Sequence, residues 1–442
     1  MGELIDLAAS VLDLAADGED LEVYGVHTLA TAVQAGAGGT IRRVDHAETR
    51  GIGIRLFRDD RVGYASTADL RRSALEVSVD RARANARASD PDPASQPPEP
   101  QLQERRDSLP VPLSTRALDN KIALLTELVA ATEGMDSRVR AVDTAEYHDE
   151  RREVAVVSTR GVRARHERGR CEVWVDALGD HPAGRAIDSG YWSGLDPGEV
   201  DPEAVASEAV VRTTRLLGTH RPRPGGLPVL LDYVVVGDLL AAVGRACTGG
   251  ALGTGRSPFA GLSGTPVGSA AVSLVDDGVE VGGHHDDEGI PRRQTTLIES
   301  GVLTGVLHSA ATAHAMGDGS SSTGNARRVT HKSAPRAAPA GLRLGPTSGY
   351  RQLLTDVGDA VYVQQLTGAG SGINSVTGRI DVGGIGWLLR DGEAAGRVAT
   401  ISLTTDLVSF LQTVTHVADD ARLVQNLPVS AATVGCLPRL LP

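Results

Sequence analysis

The sequence predicts an α+β protein: an α/β N-terminal portion with small antiparallel sheets and helices, followed by a β-rich C-terminal domain. Three observations carry that reading. Apolar and polar residues alternate in two long segments of the first half, and each is accompanied by a segment of helical period. A proline-rich stretch separates the two. Beyond residue 226 the composition shifts to Gly, Ser, Thr and Val in short apolar runs.

The chain opens with MGELIDLAASVLDLAADG, an amphipathic helical pattern carrying Glu3, Asp6 and Asp13. From Tyr24 to Thr67 the period falls to two, and Asp59-Asp60 marks a hairpin turn. Residues 68–88 return to helical spacing, with Leu70, Ala74, Val77 and Ala84 on the expected packed side and Arg71, Arg72, Arg81 and Arg83 elsewhere. The stretch 89–114 holds DPDP and PPEP. Its prolines remove backbone donors and restrict the residues before them, so it reads as a linker or surface crossing. A second helix is expected over 115–134, followed by strands in REVAVVSTRGVRARHERGRCEVWVDALG. DPEAVASEAVVRTTRLLG has Asp201-Pro202 at its start and Gly218 at its end, which makes it the best-capped helix pattern in the chain. HRPRPGG then forms a boundary.

In the second half VLLDYVVVGDLLAAVG, TTLIESGVLTGVL, DAVYVQQLTG and RVATISLTTDLVSFLQTV read as mostly β. Glycines gather in loops such as GTGRSPFAGLSGTPVGS and GDGSSSTGNA, where the backbone can turn sharply or lie close to a partner. At 442 residues the chain exceeds what one core usually holds. The expected organisation is an N-terminal α/β domain (1–88), the proline-rich crossing (89–114), a central α/β domain (115–220) and a β-rich domain (227–442).

The charge balance, 44 Lys+Arg against 56 Asp+Glu for a net −12, argues against direct nucleic-acid binding. No basic stripe is visible, and Lys121 and Lys332 are the only lysines. Three distant cysteines, Cys171, Cys247 and Cys436, exclude a disulfide framework and fit a reduced, cytoplasmic setting. No apolar run reaches the roughly 18 to 20 residues needed to span a bilayer, and the first residues lack the pattern of a signal peptide. No membrane association is expected.

Several clusters carry potential metal ligands. His166-Glu167 with Cys171 imitates the start of a zinc motif. In a strand, however, His166 and Cys171 fall on opposite faces, which favours a solvated strand face and a buried thiol. His284-His285 beside Asp286-Asp287-Glu288 is dense in ligands, although adjacent residues rarely converge on one ion and acidic turns are common. His308 and His314 share a face of neither a strand nor an ideal helix. Ser320-Ser321-Ser322 lacks a local base, and GAGSG lacks the setting of a nucleotide loop. Asp286, Asp287 and Glu288 are possible acid/base carboxylates with no assignable partner.

Several strings in order resemble the TldD/PmbA family, once described as modulators of DNA gyrase, and within it the TldE (PmbA) branch. They are GIGIRLFRDDRVGYASTADL, with Gly63, Ser66, Thr67, Asp69 and Leu70 at recurrent positions; DDEGIP (286–291); LIESGVLTGVL; STGNARR (322–328); LTGAGSGINSVTG (366–378); and NLPVSAATVG. The resemblance implies two related subunits around an enclosed cavity. It further implies that a catalytic TldD-like subunit holds zinc through HExxxH and a C-terminal Cys, where the metal polarises an amide and the Glu takes a proton. The corresponding segment here, DYVVVGDLLAAVGRACTGG, has no His, and Cys247 stands in no ligand pattern. The C-terminal counterpart reads ADDARLVQNLPV, and Cys436 falls beyond it.

What the resemblance implies is therefore a zinc-less subunit with no cofactor of its own. It would pair with an HExxxH-bearing TldD-like subunit that carries the zinc, close the chamber and help admit unfolded peptide. No catalytic or metal residue is assigned to this chain. Asp286, Asp287, Glu288, Thr323, Asn325, Arg327, Ser371, Asn374 and Thr377 are the expected cavity-lining residues, with Arg327 facing a peptide carboxylate or carbonyl. The competing expectation for them is tight turns and an internal ion pair. Two further readings stay open: a stand-alone homodimeric binding or scaffold protein, and a subunit dedicated to peptide or natural-product maturation.

Overall fold

The computed structural model describes residues 3–94, 96–100, 117–182, 184–218, 225–278, 283–398, 401–425, 427, 429–437 and 440–441. Most of the crossing 89–114, the first residues of the helix expected over 115–134 and part of the HRPRPGG boundary lie outside them.

The alternating segments of the first half become β1 (Asp20–Ala35), β2 (Ile41–Arg58), β3 (Arg61–Thr67), β4 (Val139–Ser158) and β5 (Arg163–His181), and a strand not read from the sequence, β6 (Gly184–Gly194), follows them. They form one antiparallel six-stranded sheet in the order β3-β2-β1-β4-β5-β6. The two trios meet along β1 and β4, where Glu22 lies opposite Ser158 and Ala35 opposite Ala145. Helices flank each trio in sequence: α1 (Glu3–Leu12) and α2 (Arg72–Ala88) the first, α3 (Leu118–Met135) and α4 (Pro202–Arg215) the second. The same helix–three strands–helix pattern thus occurs twice, and the halves share a sheet. Asp59 and Asp60, at φ 52° and 55°, make the left-handed turn between β2 and β3.

The helices bury one face against this sheet. α1 contributes Leu4, Ala8 and Val11. α2 buries Leu75, Ser78, Val79, Ala82 and Ala86 and leaves Val77 49% exposed, so the packed side differs from the expected Leu70, Ala74, Val77 and Ala84. The reason is close approach: a Cβ on Gly63 of β3 would sit 1.8 Å from the Ala82 carbonyl oxygen, which selects the small-residue face of the helix. The other edge repeats the device, with Gly190 of β6 1.9 Å by the same measure from the Val205 carbonyl of α4. α4 is capped as its sequence predicts, the Asp201 carboxylate accepting from the Glu203 and Ala204 amides at 3.0 and 3.1 Å.

The second half holds a two-stranded ribbon of Ala326–Arg327 with Arg336–Ala337 and is built on two larger sheets. One contains β7 (Val229–Leu231), flanked by Ala360–Thr367 and Val434–Cys436, and extends through Arg379–Arg390. The other contains Leu274–Asp277, Gln294–Glu299, Leu342–Leu344 and Val429–Ala431. Their shared core holds α5 (Tyr233–Ala246). VLLDYVVVGDLLAAVG is thus a three-residue strand and a helix, against the mostly β expectation. Asp232 caps α5 by accepting from the Val234 amide at 3.1 Å, and eleven of the fourteen helix residues are buried, all but Val234, Asp238 and Arg245, so the apolar surface is too broad to read as an amphipathic stripe.

A buried polar clamp ties α4 and β6 to this half. Arg212 donates to Asp232 at 2.9 Å and lies 3.3 Å from Asp188. Gln364 bonds Asp188 and accepts from the Trp387 indole at 2.8 Å. Among the described residues no helix is long and apolar enough to cross a membrane.

Candidate functional site

Strand alternation builds the site from the sheet upward. Residues directly opposite in antiparallel strands share a face, and the register places Glu22 opposite Arg55, Tyr24 opposite Val156, Val154 opposite His166, Arg152 opposite Arg168 and Glu150 opposite Arg170. These side chains occupy the face turned away from α1–α4. Cys171 lies on the helix side with Val173 and Val175, so His166 and Cys171 are separated by the sheet.

Onto the polar face folds the acidic turn of the second half. Asp286 accepts from the Glu288, Ile290 and Ala326 amides, each at 2.9 Å. Asp287 accepts from the Arg328 amide at 2.7 Å and lies 3.4 Å from Arg168. Glu288 bonds Arg55 at 2.8 Å and accepts from the Ala310 amide at 2.9 Å, at the start of the helix Ala310–Met316. Arg328 is wholly buried. It pairs with Glu22, donates to the Asp287 and Ser333 carbonyls at 3.2 Å each, and stands 4.8 Å from the Tyr24 ring centre. Charges this deeply buried persist only when compensated, and here each carboxylate has guanidinium or amide donors.

Burial raises the Asp286 carboxyl, and Glu288 reinforces the shift. Burial also opposes ionisation of Asp287, but Arg168 and Arg152 outweigh it and hold that carboxyl low. His166 is 1% exposed, and neither ring nitrogen has a hydrogen-bond partner. Desolvation, helped by Arg168 and Arg292, drives its pKa well below 6.5, so the imidazole is neutral.

Beside this knot lies a cavity of about 460 Å³. Its described lining includes six arginines, Arg152, Arg168, Arg170, Arg292, Arg327 and Arg343, against two acids, Glu150 and Asp287. Burial and the neighbouring Arg168 push Arg292 down to about 10. The Nε atoms of Arg152 and Arg168 are shut from water without a hydrogen-bond partner. Such an arrangement suits an oxyanion with planar, bidentate geometry.

The expected cavity residues separate accordingly. Asp287, Asn325 and Arg327 border the cavity. Asp286 and Glu288 are enclosed in the knot behind it, Asp286 holding the turn through backbone amides and Glu288 bonding Arg55 and the Ala310 amide. Thr323 is also buried, its hydroxyl bonding Asn325 at 2.6 Å, and Asn325 donates to Asp276 at 2.6 Å. Arg327 is exposed and makes no hydrogen bond or ion pair with the described residues, unlike the internal pair considered for it. Ser371, in the short helix Ala369–Gly372, and Asn374 and Thr377, on the exposed turn after it, are not among the residues lining this cavity; the Asn374 side chain accepts from the Val376 and Thr377 amides at 2.9 and 3.0 Å. Arg152, Arg168, Arg170, Arg292 and Arg343 were not singled out from the sequence. Only Arg168 and Arg170, two apart in a strand pattern, carried a local signal.

Zinc does not fit the residues of α5. The helix presents Val236, Leu239, Leu240 and Val243 to the core, and Cys247 at its end is encased there, its thiol pushed up to about 12 by burial. Cys436 is likewise buried and pushed up to about 12. Among the described residues no three His, Cys, Asp or Glu side chains come together in a way that could hold a metal ion. A buried neutral thiol is a packing group.

Comparison with known proteins follows the same division of the chain. Residues 21–86, 112–217 and 224–436 match, in order, domain 1, the central domain and the C-terminal domain of the PmbA/TldA metallopeptidases. The metalloprotease PmbA of Escherichia coli O157:H7 is 22% identical over 447 residues, covering 96% of this chain and 93% of that protein. A metalloprotease TldD homolog of Buchnera aphidicola subsp. Schizaphis graminum is 25% identical over 88% of this chain and 83% of its own length. With a metalloprotease of Methanothermobacter thermautotrophicus the match is 28% over 50% of this chain, and there the chain spans 49% of the relative's length. A Thermotoga maritima structure described as a modulator of a DNA gyrase has a TM-score of 0.88 at 22% identity, covering 98% of both chains. TldE from Thermococcus kodakarensis has a TM-score of 0.85 at 18% identity, covering 99% of this chain and 98% of its own. The fold is common to all three, and with three successive domains matched in order the chain belongs to the PmbA/TldD metallopeptidase family.

Proposed function

We propose that this chain is the zinc-less, TldE/PmbA-like subunit of a two-subunit TldD/TldE-type metallopeptidase that cleaves unfolded peptides in the cytoplasm. The observation that carries the reading is the composition of α5 and its surroundings. Where a TldD-like subunit carries HExxxH, this chain has an apolar helix locked into a core. A water-activating zinc needs three protein ligands and an open position, and α5 has neither His nor exposure to supply them. The zinc and the base that works with it would reside in the TldD-like partner. This chain would close the chamber, with Asp287, Asn325 and Arg327 bordering one peptide-handling cavity and the exposed Ser371, Asn374 and Thr377 available to the chamber wall.

Co-expression with an HExxxH-bearing TldD-like chain tests the reading by size-exclusion chromatography, zinc analysis and cleavage of casein. The expected result is a one-to-one complex that cleaves only as a pair and holds its zinc in the partner. A homodimer that binds zinc or cleaves alone overturns it.

A further inference from the structure

We propose that the arginine-lined cavity of this chain is a binding site for the C-terminal carboxylate of a peptide with an aliphatic last residue. Four features converge on that chemistry. Positive charge exceeds negative charge among the described lining residues, and like charges in so small a space are costly until an anion joins them. The Nε atoms of Arg152 and Arg168 are buried with no hydrogen-bond partner among the described residues, so neither guanidinium is fully compensated from within the protein. Arg327 stands exposed at the cavity without an internal partner among the described residues. Finally, one part of the wall is aliphatic, with Leu195, Pro339, Leu423 and Leu427, and no aromatic ring is present in the described lining. A nucleotide base would have nothing to stack on, and a bare inorganic anion would leave the leucines unused.

The volume, about 460 Å³, lies in the range of pockets that enclose small ligands. It suits the end of a chain. Guanidinium groups would grip the carboxylate in bidentate fashion while the last side chain lies along the leucines. The inference deepens the peptidase-subunit reading by naming which part of a peptide this subunit holds. Because it is read as binding by the full chain alone, its failure would leave cleavage by the pair untouched, and the reverse also holds.

The test is calorimetric titration of the full chain with acetyl-Ala-Ala-Leu carrying a free carboxylate, with the same peptide as its C-terminal amide, and with inorganic pyrophosphate. The acid is expected to saturate, with the amide at least about tenfold weaker. Arg327→Gln, which removes no internal bond among the described residues, should weaken the acid about tenfold and leave the amide unchanged. Leu195→Ser, at a side chain 46% exposed, should weaken the acid peptide while leaving pyrophosphate unaffected. Equal binding of acid and amide, no saturation by the acid, or binding of pyrophosphate but not of the acid overturns the proposal.

Discussion

Replacing Arg328 with Met is expected to destabilise the protein by about 3–5 kcal/mol, the usual cost of removing one partner of a buried ion pair. Arg328 has no solvent exposure and serves Glu22, two backbone carbonyls and the Tyr24 ring at once. Met matches its length and restores the apolar contacts, so the loss is chiefly electrostatic. The Asp287 and Ser333 carbonyls lose their donors, each worth about 1–3 kcal/mol when stranded. Glu22 keeps Arg55, whose Nε donates at 2.9 Å, and that remaining pair prevents a larger loss. Urea unfolding followed by far-UV circular dichroism and tryptophan fluorescence would measure the change. Glu22→Gln and the double variant complete a cycle in which the coupling should be about 1–3 kcal/mol. A loss for Arg328→Met below about 1 kcal/mol, or no coupling to Glu22, would show that the knot does not join the sheet to the second half.

Other outcomes follow from the same geometry. His166 is held neutral in the folded state, so the unfolded chain binds more protons below pH 6.5 and stability should fall on acidification by up to about 1.4 kcal/mol per pH unit. His166→Phe should flatten that slope in urea midpoints taken at pH 5.5, 6.5 and 7.5, and an unchanged slope would remove His166 as its source. Gly63→Ala and Gly190→Ala should each cost about 1–3 kcal/mol, since the added methyl meets helix backbone rather than a movable side chain; urea midpoints within error of the parent would contradict the close-packing argument. Chelation with EDTA should leave the unfolding midpoint of this chain unchanged while abolishing casein cleavage by the pair, and a lowered midpoint for the chain alone would point to a metal site in it.

Much of the scaffold was legible because its cues are local. Alternation at period two marks β1 to β3 and the pair β4 and β5, Asp59-Asp60 marks the turn between β2 and β3, and Asp201-Pro202 marks the start of α4, whereas β6 was not singled out. Local cues failed where the environment was uniform or was set by contact. α5 buries all but Val234, Asp238 and Arg245 and so shows no narrow stripe, and α2 turns Leu75, Val79, Ala82 and Ala86 to the sheet, where Gly63 on a neighbouring strand lets its backbone approach, and leaves Val77 outside.

The candidate site divides along the same line. The lack of His in the α5 segment and the acidic DDE turn are properties of short strings. That Asp286 and Glu288 would be sealed against Arg55 and the helix Ala310–Met316, while Asp287 and Arg327 border a cavity, depended on the pairing of segments far apart in the chain. The six arginines of that cavity span residues 152 to 343. Each strand determines which of its side chains share a face, because the backbone pleat alternates them. Which faces meet is decided by burying apolar surface and compensating charge across the whole chain, and so only the tertiary structure assembled them into one site.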